Sequence, residues 1–398
     1  LMDWINARQR EREVMFGGVP VPTLLRPNFL SKRQTETLER VTVTIMDALE
    51  KVIRLYFESD VLHGVLRMNE LEKEMVSLEP GIERVVVKGR LDAFMAGDSL
   101  RFLEFNCDSP AGVAYGEVQG EIFGETPFLT ALKENFRLGQ HARMKMMHDA
   151  LVRAYREYGG REEHPHVAIT DWRDVKTIHE FYMLKNYFEK MGTPVTVIDP
   201  RDFELSNGRL VAAGRPVDVV YRRVILRELF EKENEVKPFL DAYREKLVCV
   251  ANPFRSKVVS NKSTLAVMTD PAFDRLFSPE ENEIKYRHVP WTRNLESGKV
   301  VYEGREADTF ELASGAKDRF VIKPADGYGG LDVYIGREIS SSEWDDVLNT
   351  VAEEERVWVL QEYVDIPEED FPILDDAGGV SLEKRKVNLN PFAIGGRY

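Results

Sequence analysis

The chain has 398 residues, of which 43% are hydrophobic and 31% charged, and its formal net charge is -14. A chain of this length and composition folds into packed subdomains with their own cores, which excludes disordered and low-complexity classes. The negative charge disfavours nucleic acid and anionic membranes as partners, and no segment is apolar enough to cross a bilayer. The charged stretch 1–12 does not resemble a signal peptide, so we expect a cytoplasmic protein.

The two cysteines, Cys107 and Cys249, lack a neighbouring Cys or His at the spacing of a metal or redox site. Both are therefore predicted to be reduced and partly buried. Cys107 lies within a motif described below, but a lone cysteine without a motif-linked base is more often inert than nucleophilic.

The first predicted element is a long amphipathic helix over residues 31–57. Its apolar side chains recur at helical spacing, and Ser31 is a suitable N-cap. We interpret this helix as scaffold that packs against the rest of the fold.

Residues 85–106 change to a two-residue period that is interrupted by Gly97-Asp98-Ser99, and this pattern predicts a β-hairpin. Apolar side chains at odd positions, Leu103 among them, are expected to face the core. With a three-residue turn centred on Asp98, polar side chains from both strands share the other face.

Two carboxylates are predicted to meet on that polar face, because the register places Asp92 opposite Glu104 and Arg90 opposite Asn106. Two such carboxylates raise each other's pKa unless a cation lies between them. Carboxylate and carboxamide oxygens favour a hard ion such as Mg²⁺ over a calcium cage or zinc. The alternative is a solvated polar face, and the hairpin alone leaves both possibilities open.

Residues 161–252 predict a small α/β subdomain with a largely parallel sheet. Strand, helix and strand patterns follow one another over 164–199, with Gly192 where a left-handed helix cap is favoured. Further buried strands are predicted at 217–222 and 247–251. From residue 253 onward the patterns are mixed, which indicates an α+β part with strands at 320–323, 332–335 and 358–363 and a helix at 342–355.

A predicted strand ends at Lys323, and a glycine-rich turn with Gly327, Gly329 and Gly330 follows it. Glycines let backbone N–H groups approach phosphate oxygens, and the lysine adds a positive charge. The pattern is neither a Walker P-loop nor a dinucleotide-binding fingerprint, so it is a weak signal on its own.

Two further features favour a nucleotide. Lys262 lies at the start of a helix predicted over 262–270, where an anion is favoured, although an exposed lysine is the commoner outcome and Lys257 is a rival. After an apolar strand, Gln361-Glu362-Tyr363 is placed to present main-chain groups to an adenine edge.

The combination resembles the circularly permuted ATP-grasp proteins related to the synthetase domain of glutathionylspermidine synthetase. In an ordinary ATP-grasp enzyme the lysines, glycine loop and hinge precede the magnesium carboxylates, whereas here the carboxylates come first. The resemblance extends from about residue 84 to the end of the chain. It rests on Arg90-Leu91-Asp92, Glu104-Phe105-Asn106-Cys107-Asp108-Ser109-Pro110-Ala111-Gly112, Val220-Tyr221-Arg222-Arg223, Ser260-Asn261-Lys262, Lys323-Pro324 with the glycine turn, Gln361-Glu362-Tyr363, and residues 390–398.

The resemblance implies an α/β (α+β), circularly permuted ATP-grasp fold with a small parallel-sheet α/β substrate subdomain. The expected parts are an N-terminal helical region at 1–83, an ATP-grasp part with the metal-ligand hairpin at 84–150, the substrate subdomain at 151–252, and the lysine, glycine-loop and hinge part at 253–398. The amidase domain of the bifunctional relative is absent, so no hydrolytic half is implied. Relatives continue beyond the position of Tyr398, so a contributor to ATP binding is expected to be missing.

The resemblance also implies residue roles. The Mg²⁺ ligands would be Asp92, Glu104 and Asn106, and Arg90 would stabilise the transferred phosphoryl group or the acyl phosphate. The residues expected to hold ATP are Lys262, Lys323, Gly327, Gly329, Gly330, Gln361, Glu362 and Tyr363. On the substrate side we expect Arg222, as a grip for a carboxylate, and Ser109. A surface ion pair is the alternative for Arg222 and the favoured expectation for Arg223.

The implied activity is that of an ATP- and Mg²⁺-dependent ligase that joins a small-molecule carboxylate to an amine through an acyl phosphate. The alternatives are a non-catalytic nucleotide-binding relic and a kinase that phosphorylates a small acid and stops. Retention of all the metal ligands argues against a relic. The sequence does not identify the acid, the amine or the oligomeric state, and glutathione and spermidine are not assumed.

Overall fold

The computed structural model describes residues 1–327, 329–374 and 378–398. The α-helices are α1 (Met2–Glu11), α2 (Lys32–Tyr56), α3 (Asp60–Val65), α4 (Glu70–Ser77), α5 (Val113–Gly124), α6 (Pro127–Lys133), α7 (Arg143–Glu157), α8 (Ile178–Lys190), α9 (Leu226–Glu231), α10 (Lys237–Arg244), α11 (Ser263–Thr269), α12 (Pro279–His288), α13 (Thr309–Gly315) and α14 (Ser341–Glu353). None of the helices that the structure describes is long and apolar enough to span a membrane.

The β-strands are β1 (Met15–Phe16), β2 (Val19–Pro20), β3 (Lys88–Ala96), β4 (Ser99–Asn106), β5 (Val167–Thr170), β6 (Val195–Ile198), β7 (Glu204–Ser206), β8 (Arg209–Ala212), β9 (Arg215–Pro216), β10 (Val219–Arg222), β11 (Cys249–Ala251), β12 (Thr292–Asn294), β13 (Lys299–Tyr302), β14 (Arg305–Asp308), β15 (Phe320–Pro324), β16 (Tyr334–Ile335), β17 (Trp358–Glu362), β18 (Glu368–Leu374), β19 (Val380–Lys386) and β20 (Phe392–Ile394). The main sheets have the orders β11-β10-β5-β6, β12-β17-β15-β16 and β20-β3-β4.

The predicted N-terminal helix is confirmed as α2. Ser31 caps it: the Ser31 hydroxyl accepts from the Gln34 amide at 3.2 Å, and the Gln34 side chain accepts from the Ser31 amide at 2.9 Å. Such a capping box satisfies two helix-end donors at once. The apolar face of α2 is buried, as the periodicity predicted.

The predicted hairpin is confirmed as β3 and β4, but its turn was wrong. Ala96 pairs with Ser99, so the turn has two central residues rather than three. Leu103 is then the extra residue of a β-bulge, since the pairing register shifts along the chain at this point. Leu103 lines a cavity instead of facing the core, which corrects the expectation from odd-even alternation.

The parallel sheet predicted within residues 161–252 is confirmed, and all four of its strands run parallel. Strand β5, helix α8 and strand β6 form the expected βαβ unit, and Gly192 has a φ of +86° just after α8. The carboxyl ends of β5, β10 and β11 share one edge of this sheet, which is where ligands bind in folds of this kind.

The cores do not follow the predicted division of the chain. One core joins α2 and the hairpin to residues between 258 and 289 and to Ala393. The boundary expected between residues 150 and 151 falls inside α7. Residues on both sides of the expected boundaries thus pack together in the structure. The division into 1–83, 84–150, 151–252 and 253–398 stays a prediction.

The strands and the helix expected after residue 253 are confirmed as β15, β16, β17 and α14. The three strands form an antiparallel sheet together with β12. This sheet and α14 share a core, in which Trp344 and Phe320 are almost fully buried. This sheet carries Lys323 at the end of β15, facing the hairpin.

Candidate functional site

The candidate site is a cavity of about 220 Å³ between the hairpin and the end of β15. The hairpin contributes acidic side chains to its wall, and the other side contributes lysines and part of the glycine-rich turn. The lining residues are Asp92, Phe94, Leu103, Glu104, Lys262, Lys323, Pro324, Gly327, Gly330, Leu331, Val333 and Asn388.

The two carboxylates lie on one face of the hairpin, as predicted. Asp92 pairs with Glu104 in the register, and both line the cavity. Arg90 Nε lies 3.0 Å from Asp92, and Lys262 Nζ lies 3.1 Å from Glu104. Arg90 and Lys262 therefore balance the negative charges of both carboxylates. The prediction of a metal ion from carboxylate repulsion did not include these two cations.

Asn106 is the third predicted metal ligand. It pairs with Arg90, one position along the same face from Asp92 and Glu104. Within the described residues its buried amide nitrogen has no hydrogen-bond partner. Asn106 is not among the residues that line the cavity, and its role as a metal ligand stays a prediction.

These side chains fit a hard cation. No group of three or more His, Cys, Asp or Glu side chains that could hold a metal occurs in residues 1–327, 329–374 and 378–398. A cation at the hairpin would instead be bound by two carboxylates and a carboxamide, with room for water or phosphate oxygens. That is the sparse oxygen set that Mg²⁺ uses beside nucleotides.

Lys323 is the better defined of the two cavity lysines. Its Nζ donates to the carbonyl of the bulge residue Leu103 at 3.1 Å, and its side chain is almost fully buried. Burial lowers the pKa of Lys323 to about 8 and Lys262 acts in the same direction, whereas Glu104 and Asp92 raise it. A lysine in this position becomes more favourably charged when an anion replaces its carbonyl partner.

Lys262 rather than Lys257 reaches the cavity. Lys262 Nζ contacts Glu104 and donates to the carbonyl of Gly327 in the glycine-rich turn. Lys257 instead lies 3.1 Å from Glu72 of α4 and is not among the residues that line the cavity. The structure thus brings Lys262 to the cavity, and its role in binding ATP stays a prediction.

The glycine-rich turn contributes Gly327 and Gly330 to the cavity wall, and Tyr328 lies outside the described residues. Gly329 and Gly330 have φ of +69° and +73°, a conformation that other residues rarely adopt. A Cβ on Gly327 would lie 2.5 Å from the Pro324 ring. Glycine is therefore required here for backbone geometry, whatever the turn binds.

The predicted hinge does not line this cavity. The Glu362 amide donates to the Trp291 carbonyl and the Tyr363 amide donates to the Arg319 carbonyl, each at 2.8 Å. These two N–H groups are already committed to the protein. An adenine contact by Gln361, Glu362 or Tyr363 stays a prediction, and it falls on their carbonyls or side chains.

The two arginines at the end of β10, Arg222 in the strand and Arg223 directly after it, are not on the surface, which corrects the expectation of a surface ion pair. Arg222 is fully buried and donates to the carbonyls of Asn252 and Val224. Arg223 is 4% exposed and donates to the carbonyls of Ser109 and Pro110. Both guanidinium groups bond main chain and also form ion pairs in the interior, Arg222 with Asp108 and Arg223 with Glu180. A substrate grip by Arg222 stays a prediction.

The segment that contains Ser109 is held by side chains along its length. Its carbonyls accept from five buried or half-buried side chains: Asn252 to Cys107 and Asp108, Arg222 to Asp108, Arg223 to Ser109 and Pro110, Lys88 to Pro110, and Arg90 to Ala111. Burial sets the pKa of Lys88 well below its usual value. Ser109 is half-buried, and its predicted substrate role stays a prediction.

Both cysteines are buried, more completely than expected. Burial raises the pKa of the Cys249 thiol to about 12, and it also raises that of Cys107. Thiols in such surroundings stay protonated and are poor nucleophiles.

Sequence reasoning gave no role to three residues at the site. Asn390 donates to Asp92 at 2.9 Å, Asn388 lines the cavity, and Leu103 supplies the carbonyl for Lys323. The alternation of Asn388 and Asn390 before the apolar strand β20 was the available signal. That strand pairs with β3, which brings both asparagines to the hairpin.

Comparison with known families gives the class of this fold and site. The chain matches the family described as circularly permuted ATP-grasp type 2 over residues 64–398. The chain therefore belongs to the circularly permuted ATP-grasp type 2 family, which confirms the resemblance and the fold class. The more specific relation to glutathionylspermidine synthetase stays an expectation.

Two curated relatives come from Frankia. The putative glutamate–cysteine ligase 2-2 of Frankia casuarinae is 28% identical over 332 residues, or 80% of this chain and 35% of the relative. The putative glutamate–cysteine ligase 2-3 of Frankia alni is 28% identical over 333 residues, with the same shares. The chain thus spans about a third of the length of these relatives.

Among solved structures, a glutathione synthetase-like effector from Globodera pallida in the apo form aligns with a TM-score of 0.65. The alignment covers 98% of this chain and 87% of the effector at 12% identity. A likeness at this level of identity concerns the fold alone.

Proposed function

We propose that the protein is an ATP- and Mg²⁺-dependent ligase that joins a small-molecule carboxylate to an amine through an acyl phosphate. The observation that carries the proposal is the meeting of Asp92 and Glu104 with Lys262 and Lys323 around one cavity. The two carboxylates and the two lysines come from distant parts of the chain. Family membership and the names of the Frankia relatives support the same reaction class.

In the proposed reaction, an oxygen of the substrate carboxylate attacks the γ-phosphorus of ATP in line, and the bond to the ADP oxygen breaks. Lys262 and Lys323 would bind the nucleotide phosphates and offset their charge. Asp92, Glu104 and Asn106 would hold Mg²⁺, which would supply further positive charge beside the transferred phosphate. Arg90, whose guanidinium group lies beside the Asp92 carboxylate, would stabilise the phosphoryl group.

In the second half, the amine attacks the acyl carbon and phosphate leaves, so the protein itself need not carry the acyl group. The two buried, protonated thiols are consistent with such a route. The acid and the amine are not assigned.

The test is hydroxylamine trapping. The protein is incubated with Mg²⁺, ATP and mixtures of candidate carboxylic acids, and both ADP and hydroxamate are measured. An acyl phosphate gives ADP and hydroxamate in equal amounts. Glu104→Gln should abolish both products, because it removes one negative charge from the proposed metal site while keeping the side-chain shape.

The alternatives give other results. ADP without hydroxamate, from an acid that is consumed to a stable phosphorylated product, identifies a small-acid kinase. Nucleotide binding without turnover of any acid identifies a non-catalytic relic. Lys257→Met is the matched control for the cavity lysines, because Lys257 pairs with Glu72 outside the cavity.

A further inference from the structure

The hairpin opens at one specific point. Arg90 with Asn106 is the last pair of the β3–β4 ladder, and in that register Lys88 would next face residue 108. The chain has turned away by then, so Asp108 does not pair with Lys88. The main-chain N–H and C=O of Lys88 must therefore find other partners, as buried backbone groups do.

Asn252 takes the vacant place in the ladder. Its Oδ1 accepts from the Lys88 amide at 2.9 Å, and its Nδ2 donates to the Lys88 carbonyl at 2.7 Å. The same Nδ2 donates to the carbonyls of Cys107 at 2.7 Å and Asp108 at 3.1 Å. One carboxamide thus bonds both strands where they separate, and it is only 3% exposed.

The orientation of this carboxamide is determined by its partners. Three carbonyl oxygens surround the nitrogen and one N–H faces the oxygen, so the reversed amide would oppose like groups. The Asn252 main chain is held in turn, because its carbonyl accepts from the buried Arg222 at 3.1 Å. Asn252 directly follows β11, so it connects the parallel sheet to the hairpin.

We propose that Asn252 is a positioning residue for the metal site, and this inference rests on the proposed function of the hairpin. Cys107 directly follows Asn106, and Lys88 lies two residues before Arg90 on the same strand. By holding these two points at a set separation, Asn252 sets where Asn106 and Arg90 stand relative to Asp92 and Glu104. Residues that orient metal ligands in this way affect metal affinity although they do not touch the ion.

The test measures Mn²⁺ binding by electron paramagnetic resonance, with Mn²⁺ as the probe for the magnesium site. Asn252→Ala and Asn252→Asp should each weaken binding by roughly 10- to 100-fold. Asn294→Ala is the matched control, since Asn294 is also buried and its Nδ2 donates to the Val65 carbonyl at 3.1 Å. A folded Asn252→Ala protein with the wild-type affinity for Mn²⁺ would overturn the inference.

A second measurement needs no variant. Because linkage is reciprocal, Mg²⁺ bound at the hairpin should slow hydrogen exchange of the Lys88 amide in the wild-type protein. Unchanged exchange at saturating Mg²⁺ would also overturn the inference. If Mn²⁺ does not bind the wild-type protein, the metal site and the proposed function fall together. If Asn252 variants lose Mn²⁺ while the wild type yields no hydroxamate, the positioning role stands and the ligase proposal fails.

Discussion

Lys323 is the residue of the site whose charge depends most clearly on its surroundings. It is a buried cation that bonds a carbonyl and lies among two carboxylates and a second lysine. A neutral carbonyl is a weaker partner for an ammonium group than a phosphate oxygen, since charge-assisted bonds are stronger. The structure therefore leaves Lys323 able to gain from an anion.

We expect Lys323→Met to weaken Mg·ATP binding by roughly 1 to 3 kcal/mol, the contribution of a charged hydrogen bond. The lowered pKa of about 8 adds a pH dependence: Lys323 is charged below that pH and neutral above it. ATP affinity should thus fall as pH rises through about 8 in the wild type. The variant should lack this component.

Isothermal titration calorimetry between pH 7 and 10 measures both effects. Lys257→Met serves as the control, because it removes a lysine that pairs with Glu72 and should leave the affinity and its pH profile unchanged. Equal affinities of wild type and Lys323→Met would remove Lys323 from the phosphate site.

At the scale of elements, the hairpin shows both the reach and the limit of sequence reasoning. The pairing of Asp92 with Glu104 was predicted correctly through two errors that cancel. A three-residue turn shifts the register by one position, and the bulge at Leu103 shifts it equally after a two-residue turn. The bulge depends on a distant partner, Lys323, so the local alternation gave no sign of it.

The arginines of β10 show the same limit from another side. Buried strand β10 follows from its apolar residues, and it was predicted. Where Arg222 and Arg223 point depends on carbonyls more than a hundred residues earlier in the chain, in the 107–111 segment. No spacing pattern in the sequence encodes these contacts. The sequence therefore suggested only a surface ion pair, which is the usual outcome for an arginine. The shared face of Asp92 and Glu104 and the approach of Lys262 and Lys323 could be predicted because their motif is recognisable, whereas the supporting contacts could not.

The turn of the hairpin gives an element-scale prediction. Gly97 has a φ of +59° at the first central position, with no other atom near its missing Cβ. Gly97→Ala should lower the free energy of unfolding by about 1 to 2 kcal/mol through backbone strain alone. Urea unfolding measures this difference.

Gly64 is the control for that substitution. It lies in α3 with open space around it and a helical backbone, so Gly64→Ala should stabilise the protein by about 0.5 to 1 kcal/mol. If both substitutions change the stability in the same direction, the turn conformation of Gly97 is not the cause.

At the scale of the whole molecule, the cavity lies between parts with different cores. The hairpin belongs to the core that also contains α2, whereas Lys323 is carried by the sheet with Trp344. A third core lies under β8 and the neighbouring part of the α/β subdomain. Stability can differ between such units, and native-state hydrogen exchange resolves them.

We therefore predict that a substitution far from the hairpin in sequence, but within its core, weakens the hairpin. Leu49 of α2 is fully buried in the shared core. Leu49→Ala should cost about 2 to 5 kcal/mol, the usual range for a buried leucine. Amide protection in β3 and β4 should fall by a similar free energy, because the strands pack on the side chains that α2 provides.

Leu210→Ala separates this explanation from a general loss of stability. Leu210 is equally buried, but it lies in β8 and in the third core. Its substitution should reduce protection around β8 and leave β3 and β4 largely unchanged. Equal loss of hairpin protection in both variants would mean that the cores unfold as one unit. Unchanged hairpin protection in Leu49→Ala would mean that α2 does not support the hairpin, and that the predicted N-terminal region at 1–83 behaves as a separate part.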